Sequence, residues 1–105
     1  MGMLSIDTNK ELPEEHVKLL VVGGGPAGMS AALYAARAEL EPTLLTGMEF
    51  GGQVSVTHLV ENYPGFPEGV GGPELVELFK AQAERFGTKL VADSATEVDF
   101  SERPY

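Results

Sequence analysis

The residues that could do chemistry in this chain are mostly glycines, and what they offer is main-chain amide. Gly23, Gly25 and Gly28, with Gly24, Pro26 and Ala27 between them, give the spacing G-x-G-x-x-G. An apolar run, Lys18 to Val22, precedes them, and an alanine-rich helix-forming stretch follows at once. Strand, tight turn and helix are the setting in which this spacing signifies nucleotide binding. Gly23 permits the turn, Gly25 lets backbone approach a pyrophosphate, and Gly28 lets helix and strand pack closely. Pro26 suits a first helical turn, where its missing N–H costs nothing. The unpaired amides of that turn, aligned with the helix dipole, face a bound diphosphate.

Further along, Gly51-Gly52-Gln53 offers unobstructed amides and a side-chain amide, suited to a second contact on a phosphate chain. A plain turn is the competing reading. A nicotinamide-binding unit places an acid at the end of its second strand, to hold ribose hydroxyls. Here that strand ends in Leu44-Leu45-Thr46-Gly47 and the nearest acid is Glu49, a ribose ligand or an exposed carboxylate. Asn62, in V-E-N-Y-P-G, either meets the polar edge of a heterocycle or starts a turn before Pro64. Tyr63 and Phe66 could stack on a ring or pack in the core. Arg37 could reach a phosphate, but a solvated helix charge is the better reading.

No residue reads as a nucleophile or general base, so the expected set of catalytic residues is empty. His58 has no Ser, Cys or carboxylate partner at a suggestive spacing, and two histidines make no metal site. The chain has no cysteine, which excludes thiol chemistry carried by these residues alone and fits a cytoplasmic protein. Any chemistry must be a cofactor's.

The elements that position these residues follow from pattern. Lys18 to Val22 reads as a strand buried on both faces, Ala27 to Leu40 as a helix ended by Glu41-Pro42, and Thr43 to Leu45 as a second strand. Together they make a right-handed βαβ unit. Residues 46–73 read as a long Gly/Pro-rich loop that wraps a ligand. Glu74 to Phe86 is a second helix with Leu75, Leu78, Phe79, Gln82 and Phe86 on its apolar face, and Gly87 closes it. Thr88 to Ala92 and Thr96 to Phe100 are short strands, and the chain stops at Tyr105 as an interrupted hairpin would. Residues 1–16 show no secretory signal and read as a flexible lead-in.

At 105 residues, 43% hydrophobic and 22% charged, the chain suits one small globular domain. Its net charge of −9 argues against nucleic acid as a partner. Its apolar runs are too short to span a membrane.

The stretches VVGGGPAGMSAALYAARAEL, TGMEFGGQ, VENYPGFPEGVGGPEL and QAERFGTKL, running on to VDFSERPY, resemble the amino-terminal FAD-binding segment of the low-molecular-weight thioredoxin reductases. The likeness covers nearly everything from Lys18 to Tyr105. It implies an α/β fold: a Rossmann-like FAD-binding βαβ unit with a further helix and strands. The whole would be an incomplete FAD domain of the flavoprotein type with two dinucleotide-binding domains. It also implies FAD as cofactor, with Gly23 to Gly28 at the pyrophosphate and Thr46 to Gln53 along the adenosine and ribityl parts. Glu49 would lie near the adenine ribose, Asn62 near the isoalloxazine, and the backbone of Ser94 and Ala95 beside the adenine.

Members of that family carry a second domain for NADPH, with a Cys-x-x-Cys pair that reduces thioredoxin, and a carboxy-terminal FAD segment. None of these is found in residues 17–105, so the complete enzyme's activity would need further sequence. The exposed sheet edges left behind would favour a homodimer or a strand-exchanged oligomer. Alternatives are a truncated dinucleotide-binding module without redox activity, a remnant that binds nothing, or part of a ferredoxin–NADP reductase-like flavoprotein.

Overall fold

The computed structural model describes residues 4–5, 14–48 and 50–105. The strands are β1 (Leu4–Ser5), β2 (Leu19–Val22), β3 (Pro42–Leu45), β4 (Leu59–Val60), β5 (Val70–Gly71), β6 (Lys89–Val91) and β7 (Glu97–Val98), and the helices are α1 (Pro26–Arg37) and α2 (Gly72–Arg85). A parallel sheet in the order β2-β3-β6 forms the frame. Leu19 pairs with Pro42 and Val22 with Leu45; on the other side Thr43 pairs with Lys89 and Leu45 with Val91. Two small antiparallel pairs, β1 with β7 and β4 with β5, complete the sheet structure of the described residues.

The parallel sheet explains the burial. All four residues of β3 are buried because a strand pairs on each side of it. By contrast β2 is only half-buried, and Val22 is 58% exposed. An apolar run implies burial on both faces only for a central strand, and β2 lies at an edge. The core sits where α1 and α2 cross the sheet. Met29, Ala32, Leu44 and Ala83 are at most 2% exposed, with Val21, Phe50, Phe79 and Leu90 packed around them. Alanine at 32 and 83 lets the two helices approach closely, so Leu44 is covered from above. Tyr34, on the far side of α1, is 73% exposed.

The second helix buries only part of the expected stripe, with Leu75 buried and Phe79 packed on the core cluster. Gly72, Leu75, Val76 and Ala83 are buried, whereas Leu78 is 50% exposed and Gln82 lies in solvent. Phe86 is held at the surface between guanidinium groups, Arg85 at 4.9 Å and Arg37 at 5.6 Å from its ring centre. The glycine expected to close α2 does so. Gly87 adopts φ 108°, its amide bonds Glu84 O at 3.0 Å, and the Thr88 amide bonds Ala83 O at 3.1 Å. That pair of bonds satisfies carbonyls the helix would otherwise leave open.

The end of α1 has the same bonds without the glycine. Glu39 bonds Ala36 O and Leu40 bonds Ala35 O, both at 3.0 Å, with Glu39 at φ 62°. A side chain in the left-handed region is strained. Glu39→Gly relieves that strain while the Lys18 side chain still donates to the residue 39 carbonyl. The urea-unfolding free energy is expected to rise by about 0.5–1 kcal/mol; a fall would show that the glutamate side chain makes a compensating contact.

Candidate dinucleotide site at the strand ends

The carboxyl ends of the parallel strands are knitted together by main chain. The Gly23 amide donates to Leu45 O at 2.9 Å, joining the first glycine to the end of β3. The Thr46 and Gly47 amides donate to Val91 O and Asp93 O, each at 2.9 Å, carrying the ladder past the end of β6. Thr46 is buried, and its hydroxyl donates to Gly47 O at 2.9 Å with Val91 O at 3.4 Å. Ligands of α/β sheets bind in the crevice outside this edge.

At this edge the loop has room for backbone and little else. Gly23 has φ 120°, a conformation that side chains rarely adopt. A Cβ on Gly28 would overlap the Gly23 carbonyl, and one on Gly24 would lie 2.9 Å from Thr46 O. Those two positions are closed by the protein itself. Gly25 differs. It adopts φ −78° and ψ −176°, extended backbone open to any residue, and a Cβ there would meet nothing within 4 Å. Glycine at 25 therefore leaves a space that no described atom fills. Pro26 opens α1 as expected, no side chain caps the helix, and no acid stands in its first turn. The first-turn amides and the dipole of α1 face that space unneutralised.

The second glycine group closes on the first. A Cβ on Gly52 would lie 3.4 Å from the Gly25 Cα. Residues 46–73 are thus not one open loop. Gly52–Val56 is a turn of 3-10 helix, and β4 and β5 form a hairpin beyond it. Local bonds hold the 3-10 turn, with Ser55 Oγ donating to Gly52 O at 2.6 Å and Thr57 Oγ1 to Gln53 O at 3.2 Å.

The sequence candidates sort into three groups. Gly23 to Gly28, Thr46, Gly47, Gly51, Gly52 and Gln53 belong to the two loops at this corner. Ser94 comes beside it, its Oγ 3.8 Å from where a Gly47 Cβ would be, and the half-buried Ala95 follows. Asn62 is exposed and lines a different hollow of about 300 Å3 formed by residues 61–67, where Tyr63 meets Phe66 at 6.2 Å and Phe79 at 5.4 Å. Glu49 lies outside the described residues, and so does most of the lead-in. Arg37 ends α1, about 18 Å of helix away from Gly25. His58 is exposed.

Sequence reasoning passes over Phe50. It packs on the core cluster beneath the corner, with Lys80 Nζ 5.6 Å from its ring centre, and so anchors the second glycine group. A lone aromatic inside a glycine-rich stretch was the available signal.

A parallel βαβ unit with a bare helix N-terminus and two converging glycine loops defines a Rossmann-like dinucleotide-binding protein. Comparison with known proteins makes this specific. The pyridine nucleotide-disulphide oxidoreductase family matches residues 17–105, and the chain belongs to that family. It is 56% identical over 88 residues to a thioredoxin reductase of Rickettsia bellii, covering 84% of this chain and 28% of that protein. It is also 50% identical over 90 residues to a glucosaminate ammonia-lyase of Pseudomonas fluorescens, covering 86% of this chain and 28% of that protein. The solved thioredoxin reductase of Giardia duodenalis superposes with a TM-score of 0.80 at 39% identity, covering 86% of this chain and 29% of that one. The chain thus spans less than a third of the length of these relatives. Family and relatives together imply FAD as the dinucleotide, and the residues present fit it: open space at Gly25, no acid in the first turn, and main-chain donors on two sides.

The glycines make opposite predictions for stability. Gly24→Ala presses its methyl into the Thr46 backbone and is expected to cost about 1–3 kcal/mol in thermal or urea unfolding. Gly25→Ala adds its methyl to open space and should change stability by less than about 0.5 kcal/mol. Equal losses at both positions would contradict the geometry.

Proposed function

We propose that this chain holds FAD for a thioredoxin reductase-type flavoprotein, with the diphosphate cradled by the Gly23 to Gly28 loop on the amides of Gly24, Gly25, Ala27 and Gly28, and a second contact from Gly52 and Gln53. The observation that carries this reading is the unfilled space in front of Gly25, with Gly52 backed against the same residue. First-turn amides of α1 suit a diphosphate because they lack partners within the helix and are held in place by its packing on the sheet. Thr46, Gly47 and the Ser94–Ala95 backbone line the adenosine side, with Glu49 at the ribose. Asn62, on the exposed 61–67 turn, meets the isoalloxazine.

When bound, FAD supplies the redox step, accepting an electron pair from NADPH and passing it to a disulfide. The residues of this chain bind and orient it. They bring no thiol, since the chain has no cysteine, so the dithiol and the NADPH site belong to other parts of the complete protein. Thioredoxin is the proposed partner of that complete protein. The likeness to a glucosaminate ammonia-lyase supports the reading that substrate choice lies outside this region. The unpaired side of β2, with Val22 exposed, supports association with further sequence or with a second copy. No helix among the described residues is long and apolar enough to cross a membrane, and a cytoplasmic setting is proposed on the absence of cysteine.

The test is titration of the chain with FAD, followed by flavin fluorescence and by thermal unfolding. Saturation at about 100 times Kd should stabilise the fold by about 2.7 kcal/mol. Gly25→Val should retain its secondary structure and lose FAD binding. Equal FAD occupancy in Gly25→Val and parent would refute the site.

A further inference from the structure

The second glycine group does not set its own position; α2 sets it. Three contacts, at Gly72, Val76 and Lys80, tie the 50–57 segment to that helix. A Cβ on Gly72 would overlap the carbonyl oxygens of Val54 and Thr57, and the Gly72 amide donates to Thr57 O at 3.1 Å. The helix therefore starts directly against the end of the 3-10 turn, which only glycine permits. One turn on, the Val76 side chain supports Gly51. A Gly51 Cβ would lie 2.7 Å from Val76 Cγ1 and 2.8 Å from Cγ2, so the backbone there rests on the valine methyls. Val76 is 3% exposed and Gly72 is buried. Beyond these, Lys80 covers the ring of Phe50.

The next residue after Gly51 is Gly52, where a Cβ would lie 3.4 Å from the Gly25 Cα. Val76 thus supports Gly51, and Gly51 leads directly into the residue that faces the loop at the start of α1. Gly51 stands at φ 95° with the Val76 methyls filling the side a Cβ would occupy, and Gly52 stands at φ 62° with about one Cβ's width between it and Gly25. A shift of α2 near Val76 must therefore either move Gly52 relative to Gly25 or open a gap at Gly51. At the buried Val76 there is little slack to absorb it.

We propose that Gly72 and Val76 are positioning residues for the dinucleotide: they touch no ligand, and they fix the spacing between the two glycine loops that grip it. This rests on the FAD reading above for the identity of the ligand, though not for the mechanical link itself. Neither residue belongs to a recognisable nucleotide motif. Gly72 sits in a Gly-Gly-Pro at the end of the expected 46–73 loop, and Val76 lies outside the apolar face expected for α2.

The experiment compares the 105-residue chain with Gly72→Ala, Val76→Leu and a control, Thr88→Val. The control removes the buried bond from Thr88 Oγ1 to Ala32 O at 3.3 Å, which belongs to the α1–β6 contact and not to the loop. Val76→Leu stands beside Gly72→Ala in case the latter does not fold. Two readouts are taken. Without ligand, the Gly25 and Gly52 amide resonances in 15N-labelled protein should move in Gly72→Ala and Val76→Leu and stay in place in Thr88→Val. With FAD, Gly72→Ala and Val76→Leu should bind about tenfold more weakly, the worth of one amide contact to a charged group, and the control should bind like the parent. Unmoved Gly25 resonances, or equal shifts in the control, would overturn the proposal. So would parental FAD affinity in both loop variants while Gly25→Val loses binding. A parent that binds no FAD would count against the FAD reading, and the ligand-free resonances would then decide the positioning role by themselves.

Discussion

The contact on which this structure depends is one between two stretches of backbone: the Gly28 Cα against the Gly23 carbonyl, where any side chain would collide. It fixes how closely α1 lies on β2. Everything nearby inherits that distance. With α1 drawn in, Met29 and Ala32 come down on Leu44, and Ala83 of α2 completes the layer above them. The same approach points the start of α1 along the edge where the Gly23, Thr46 and Gly47 amides are already committed to neighbouring strands. The dipole of α1 and its unpaired first-turn amides are thereby held still before any ligand arrives, which is the condition for binding charge without reorganisation.

The electrostatics agree with that arrangement although the chain as a whole is acidic, with net charge −9. No acid stands in the first turn of α1, while Arg37 and Arg85 close the two helices at their negative ends. Their guanidinium groups share the Phe86 ring, so both cations stay at the end of the molecule away from the glycine corner. Exposed acids further than about 8 Å from the corner are screened at physiological salt. An anion at Gly25 is therefore governed by local amides more than by net charge.

Much of this could be seen in the residues alone. Apolar run, glycine spacing and alanine-rich helix gave β2, the loop and α1 nearly to the residue, because each signal is local. The glycine closing α2 was equally visible, since its φ of 108° is a property of one position. What could not be read came from long-range packing. Leu78 has the right spacing for the core yet faces solvent, while Val76 is buried because the 3-10 turn covers it. Val22 looks like a central strand residue and is exposed, because strand order is not written in a strand's own composition. The 46–73 segment looked like open loop because its elements are too short to show a period.

Because Gly24, Gly25 and Gly28 present bare main chain, the usual logic of scanning mutagenesis runs backwards there. Alanine replacement normally subtracts atoms and reveals what a side chain contributed. At these positions it inserts them, so the experiment reports on clearance instead of contribution. A survey that scored only lost side-chain contacts would find this corner blank, and the blankness is what lets something else lie against it.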